Sequence, residues 1–105
     1  EKHVKNIVLK NMVMQAHNGI DVQEATGITF RNISIISEET NPVIDVVQSD
    51  KLVFDNITYK DGAELLFRIS GDRSGNITIR NTDATKAKEK INYELGASEK
   101  SVTIK

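Results

Sequence analysis

One short motif recurs through this 105-residue chain and limits its fold more than any other feature. Gly27-Ile28-Thr29-Phe30-Arg31-Asn32-Ile33 returns as Asn6-Ile7-Val8-Leu9-Lys10-Asn11-Met12, as Lys51-Leu52-Val53-Phe54-Asp55-Asn56-Ile57 and as Asn76-Ile77-Thr78-Ile79-Arg80-Asn81-Thr82. A truncated copy, Ser101-Val102-Thr103-Ile104-Lys105, closes the sequence. The motif asparagines Asn11, Asn32, Asn56 and Asn81 stand 21, 24 and 25 residues apart. A period in the low twenties admits leucine-rich repeats and β-solenoids. Leucine occurs only at Leu9, Leu52, Leu65, Leu66 and Leu95, too sparsely to fill fixed positions in every leucine-rich repeat. Alternation with a period of two, rich in Ile, Val, Thr and Phe, reads as strand instead.

A second strand follows in each repeat. Gly19-Ile20-Asp21-Val22 aligns with Val43-Ile44-Asp45-Val46, 24 residues further on. The third repeat offers Leu65, Phe67 and Ile69 inward with Glu64 and Arg68 outward, and the fourth offers Ile91, Tyr93 and Leu95 inward. After the first three asparagines comes a third short strand, marked by Met12 and Met14, Ile33 and Ile35, then Ile57 and Tyr59. The expected fold is therefore all-β: a right-handed parallel β-helix, a single-stranded solenoid of about four coils spaced about 4.8 Å apart. Each asparagine is expected to hold a bend in the left-handed region, which it tolerates better than most residues. Its amide is expected to point inward and form a ladder with its neighbours. The segment 83–90 is polar and reads as an exposed loop or a single helical turn. Residues 1–105 form one portion of a β-helical domain in this reading, with a less regular terminal coil at about 83–100.

Composition narrows the partners. With 14 basic and 15 acidic residues the net charge is −1, so no bulk field draws the chain to nucleic acid or to an anionic membrane. No run approaches the roughly 20 apolar residues of a membrane span. Cysteine is absent, which removes disulfides, thiolate metal sites and cysteine nucleophiles. Lys86, Lys88 and Lys90 surround Glu89 without interleaved aromatics and read as a solvated face. The chain opens Glu1-Lys2-His3, with neither an initiator methionine nor a signal-peptide pattern, as expected of a processed or excised chain.

Asp21 and Asp45 are the sharpest candidates for chemistry. The repeat places both outward on one sheet, one coil apart, so their carboxylates are expected about 5 Å from each other. Paired carboxylates serve glycoside hydrolysis at comparable separations. Two outward residues in a repeating register, offset by Arg68 in the next coil, are the competing explanation. His3 and His17 have no carboxylate at a spacing that completes a site. No metal ligand set or cofactor motif is found. The sequons at Asn32, Asn56 and Asn76 read as accidents of strand composition.

The whole chain resembles the C-terminal coils of glycoside hydrolase family 28, the polygalacturonase family. The residues that carry the resemblance are Val4-Lys5-Asn6-Ile7-Val8-Leu9-Lys10-Asn11-Met12, Asn18-Gly19-Ile20-Asp21-Val22, Gly27-Ile28-Thr29-Phe30-Arg31-Asn32-Ile33-Ser34-Ile35 and Asn41-Pro42-Val43-Ile44-Asp45-Val46. The family cleaves α-linked galacturonan with inversion, using aspartates from N-T-D and D-D motifs, assisted by G-H-G and R-I-K. Here Ala16-His17-Asn18 stands in place of N-T-D, and Asn41-Pro42 in place of D-D. G-H-G is absent, and Thr103-Ile104-Lys105 lacks the arginine of R-I-K. Asp21 corresponds at best to the second aspartate of N-T-D-G-x-D, which is not catalytic.

The resemblance thus implies scaffold and capping coils of a pectin-degrading hydrolase whose catalytic residues lie upstream. It implies an extracellular or periplasmic setting, polysaccharide as substrate of the parent protein, and stacking on upstream coils of the same solenoid. Self-association through open solenoid ends is the other contact such a piece can make. Two alternatives stay open: a non-catalytic β-helix for carbohydrate binding or surface display, and a pectate-lyase-like β-helix using Asp21, Asp45 and Arg68.

Overall fold

The structure, a computed structural model, describes residues 7–105. Two parallel sheets stack into a β-solenoid of about four turns. The first sheet is built from β1 (Ile7–Ala16), β3 (Thr26–Ser37), β5 (Asp50–Thr58), β7 (Gly75–Arg80) and β9 (Val102–Ile104), in that order. The second holds β2 (Ile20–Gln23), β4 (Ile44–Val47), β6 (Ala63–Ser70) and β8 (Ala87–Glu94). Where three separate strands per coil were expected, the first and third are one strand bent at its asparagine. β1, β3 and β5 each run through that residue without losing register.

The core is made of side chains stacked coil upon coil. Leu9, Phe30, Phe54 and Ile79 are successive partners in the first sheet, and Ile20, Ile44, Phe67 and Ile91 in the second. The Phe30 and Phe54 rings stack with centroids 4.7 Å apart and planes 1° from parallel. Phe67 meets Phe54 edge-on from the opposite sheet, at 5.0 Å and 72°. Aromatic pairs in these geometries add to what their buried area alone supplies.

Left-handed residues turn the chain at three stacked columns. One is the asparagine column, with φ of 57° at Asn11, 55° at Asn32, 56° at Asn56 and 51° at Asn81. A second, closing the short sheet, is Glu24, Gln48, Gly71 and Leu95, and a third, opening the long sheet, includes Gly27, Lys51 and Asn76. Composition signalled only the columns that use asparagine or glycine. Leu95 is the clearest miss: expected inside, it sits at a corner, 81% exposed.

The asparagine ladder forms, on the outside. All four ladder asparagines are exposed. The Nδ2 of Asn32 donates to Oδ1 of Asn11 at 3.0 Å, and that of Asn56 to Asn32 at 2.8 Å. Asn81 leaves the series and donates to Asp55. The reason for the outward amides is the bend itself. Phe30 and Ile33 both point inward with two residues between them, so Arg31 and Asn32 must both face solvent.

Serine does the inward work that was assigned to asparagine. Ser49 Oγ accepts the Ala25 N–H at 3.0 Å, and Ser74 Oγ accepts the Ser49 N–H at 3.1 Å. Each hydroxyl then donates to a backbone carbonyl of its own coil, that of Val47 or Ser70. These bonds carry the inter-coil pairing through a buried corner where an unpaired N–H would cost about 1–3 kcal/mol. Among the described residues, no buried side-chain polar atom lacks a partner.

The terminal coil is more regular than expected. Only Ala84–Lys86 forms a short 3-10 turn, capped by Asp83, whose carboxylate accepts the Thr85 N–H at 3.0 Å. From Ala87 the chain is already strand, paired with β6. A second 3-10 turn, Glu99–Ser101, precedes the three-residue β9.

Candidate functional site

The second sheet puts Asp21 and Asp45 side by side. They are Cα partners in β2 and β4, followed in register by Arg68 of β6 and Asn92 of β8. The alternation of these strands turns Ile20, Val22, Ile44 and Val46 into the core and leaves the aspartates facing out. A groove of about 480 Å³ opens there, lined by His17, Asn18, Asp21, Asn41, Asp45 and Arg68 among others.

Arg68 dominates the electrostatics. Its Nη2 donates to Asp45 Oδ2 at 3.0 Å and its Nε to Oδ1 at 3.4 Å, a two-pronged contact. The bond to Asp45 raises the arginine above its ordinary value, with the charges of Glu94 and Asp21 adding to the effect. Both oxygens of Asp45 are thereby committed to a cation, a geometry that fixes orientation as well as charge. Asp21 takes looser contacts from the Gln23 amide, 3.3 Å to each oxygen. The arrangement is a fixed guanidinium between acidic neighbours, ringed by amides. It can hydrogen-bond hydroxyls and orient a polar ligand. Of the two carboxylates, Asp45 is held by the guanidinium and Asp21 only by the Gln23 amide.

His17 contradicts its expected isolation. Its Nδ1 lies 2.6 Å from Glu38 Oε1, and its carbonyl accepts the backbone N–H groups of Glu38 and Glu39 at 3.1 and 2.8 Å. The hydrogen bond to Glu38, and then its charge, hold the imidazole above its usual range. The signal was available in the sequence: Glu38 follows His17 by the same 21 residues that separate Asn11 from Asn32. His3 lies outside the described residues. Asn76 sits at a corner of the first sheet, at the start of β7, while Asn32 and Asn56 spend their amides on the ladder. Among the described residues no three His, Cys, Asp or Glu side chains converge as a metal site would require.

No family model, curated protein or solved structure matches this chain.

The two ends of the solenoid differ. Leu9 and Met12 point inward from β1 yet are 36% and 41% exposed, whereas their partners one coil on, Phe30 and Ile33, are 4% and 1% exposed. Among the described residues the ten-residue β1 has no strand paired on its outer edge, and it carries the exposed Val8, Leu9, Met12 and Val13. At the other end the outermost strands are the lysine-bearing β8 and the three-residue β9. Charged side chains such as the lysines of β8 disfavour pairing with another chain along that strand.

Proposed function

We propose that this chain supplies the C-terminal scaffold and capping coils of a pectin-active glycoside hydrolase of the polygalacturonase type. Upstream coils of the same solenoid carry the catalytic carboxylates, and the parent protein acts outside the cell or in the periplasm. The single observation that carries this reading is the incompletely covered interior of the first described coil, where the inward Leu9 and Met12 remain 36% and 41% exposed. A solenoid coil contacts only its neighbours, and an unfilled end destabilises the coil beneath it.

The ladder supports a parallel coil as the occupant of that end. Each amide donates in one direction, from Asn32 to Asn11 and from Asn56 to Asn32. Asn11 therefore presents its own Nδ2 toward the open side. A preceding coil continuing the series would place an acceptor over it. A second copy stacked head to head would bring two donors together. The departures from N-T-D, D-D and G-H-G support placing the chemistry upstream rather than in the Asp21–Asp45 groove.

Release of reducing ends from polygalacturonate tests the proposal. The chain extended through its upstream coils is expected to cleave the polymer, and these 105 residues alone are not. Cleavage by the short chain, abolished by Asp21→Asn, would overturn the assignment, as would inactivity of the extended one.

A further inference from the structure

Away from the groove, on the outer face of the first sheet, the register lines up charge. Lys10, Arg31, Asp55 and Arg80 are successive partners across β1, β3, β5 and β7. Lys105 continues the row beside Arg80, its N–H donating to the Ile79 carbonyl at 2.8 Å. Four cations thus share a line with one anion, in a chain whose net charge is −1.

The one anion organises the row. The Asp55 side chain is only 13% exposed, and its Oδ2 takes Nε of Arg31 at 3.3 Å and Nε of Arg80 at 3.2 Å. Asn81 holds the other oxygen at 2.9 Å. Both arginines are therefore gripped through Nε, and their terminal nitrogens have no partner among the described residues. Sharing one oxygen draws the two Nε atoms to within about 6.5 Å of each other, with Lys10 on the strand beyond Arg31, ~5 Å further along. The column beside them runs Val8, Thr29, Val53, Thr78 and Thr103, and its three hydroxyls also have no partner among the described residues.

We propose that this face is a second binding site, separate from the groove, for a linear acidic polysaccharide lying along the solenoid axis. A straight row of cations flanked by hydroxyls suits an unbranched polymer with one carboxylate per sugar. The site would anchor a uronate chain without cleaving it. Naming a uronate rests on the pectin reading above, whereas the row itself does not.

Binding to polygalacturonate, measured by calorimetry at low salt, is the experiment, with fully methyl-esterified polymer as the uncharged control. The acidic polymer is expected to bind and the ester to bind at least tenfold more weakly. Lys10→Gln with Lys105→Gln, which breaks no ion pair among the described residues, is expected to lower affinity about threefold or more. Arg31→Gln with Arg80→Gln is expected to lower it tenfold, in protein shown by circular dichroism to be folded. Asn18→Ala, a charge-neutral change in the lining of the groove, is expected to leave it unchanged. Equal binding of the ester, or loss with the groove variant alone, would overturn the site, and tighter binding of a sulfated polymer would overturn its assignment to uronates. Each of those failures leaves the hydrolase reading standing, since that is judged by cleavage in the extended chain.

Discussion

Asn81 donates its side-chain amide to Asp55, not to Asn56, and this is where the outer ladder changes character. Two coils of amide-to-amide bonding give way to a carboxylate that also receives Arg31 and Arg80. The last full coil is thereby fixed to its neighbours by charge as well as by backbone pairing.

Acid should undo that fixture. The hydrogen bond from Asn81, followed by those from the arginines, holds the Asp55 carboxyl below its ordinary value of 3.8. A depressed carboxylate stabilises the fold above its unfolded value and loses that contribution as pH falls through the folded one. Melting curves of the native chain and Asp55→Asn should therefore differ most near neutrality and converge well below pH ~3.8. A gap that persists unchanged at pH ~2 would show that Asp55 acts through packing alone.

His17 should behave in the opposite sense. Its value is raised above 6.5 by Glu38, so its contribution is complete below that value and disappears as pH rises through the higher folded one. Both groups are exposed, so the effect on stability is small. Proton NMR of the imidazole is the better measure. The His17 midpoint is expected to fall toward the ordinary value in Glu38→Gln, and an unchanged midpoint would contradict the contact.

Core substitutions should follow the gradient from the open end. Phe54 is fully buried between Phe30 and Phe67, and Phe54→Ala is expected to cost about 3–5 kcal/mol in urea unfolding. Leu9 occupies the same column two coils earlier but is partly open to solvent. Leu9→Ala should cost well under half as much, about 1 kcal/mol. Similar losses at the two sites would mean that the first coil is covered in solution.

Two glycines should separate cleanly. A methyl group at Gly19 would lie 1.9 Å from the Val43 carbonyl oxygen, whereas one at Gly75 meets nothing within 4 Å. Gly19→Ala must push coils apart and is expected to cost about 1–3 kcal/mol. Gly75→Ala is expected to be neutral or to stabilise by a few tenths of a kcal/mol, through the unfolded chain. Denaturant midpoints of the two variants provide the comparison.

The repeat was legible because backbone stacking demands a constant register, and the alignment of Ile20 with Ile44 and of Asn32 with Asn56 reported it directly. The facing of the asparagines was legible too, in the three-residue step from Phe30 to Ile33, but strict alternation hid it. Leu95 could not be placed by hydrophobicity, since its position is set by the corner column it joins. The groove was only half readable. Sequence placed Asp21, Asp45 and Arg68 on one face, while which carboxylate the guanidinium grips depends on side-chain geometry. Glu38 escaped notice because its partner sits a whole coil away.

The corners leave this chain with room to be made more robust. Glu24, Lys51 and Leu95 all hold positive φ, at 49°, 56° and 53°, where an ordinary side chain costs about 1–2 kcal/mol relative to glycine. Leu95 gives the interior nothing in return. Replacing Leu95 by asparagine should raise the melting temperature without disturbing a core contact. A solenoid turned by tolerated strain is thus one whose durability can be tuned at its corners, leaving both outer faces as they are.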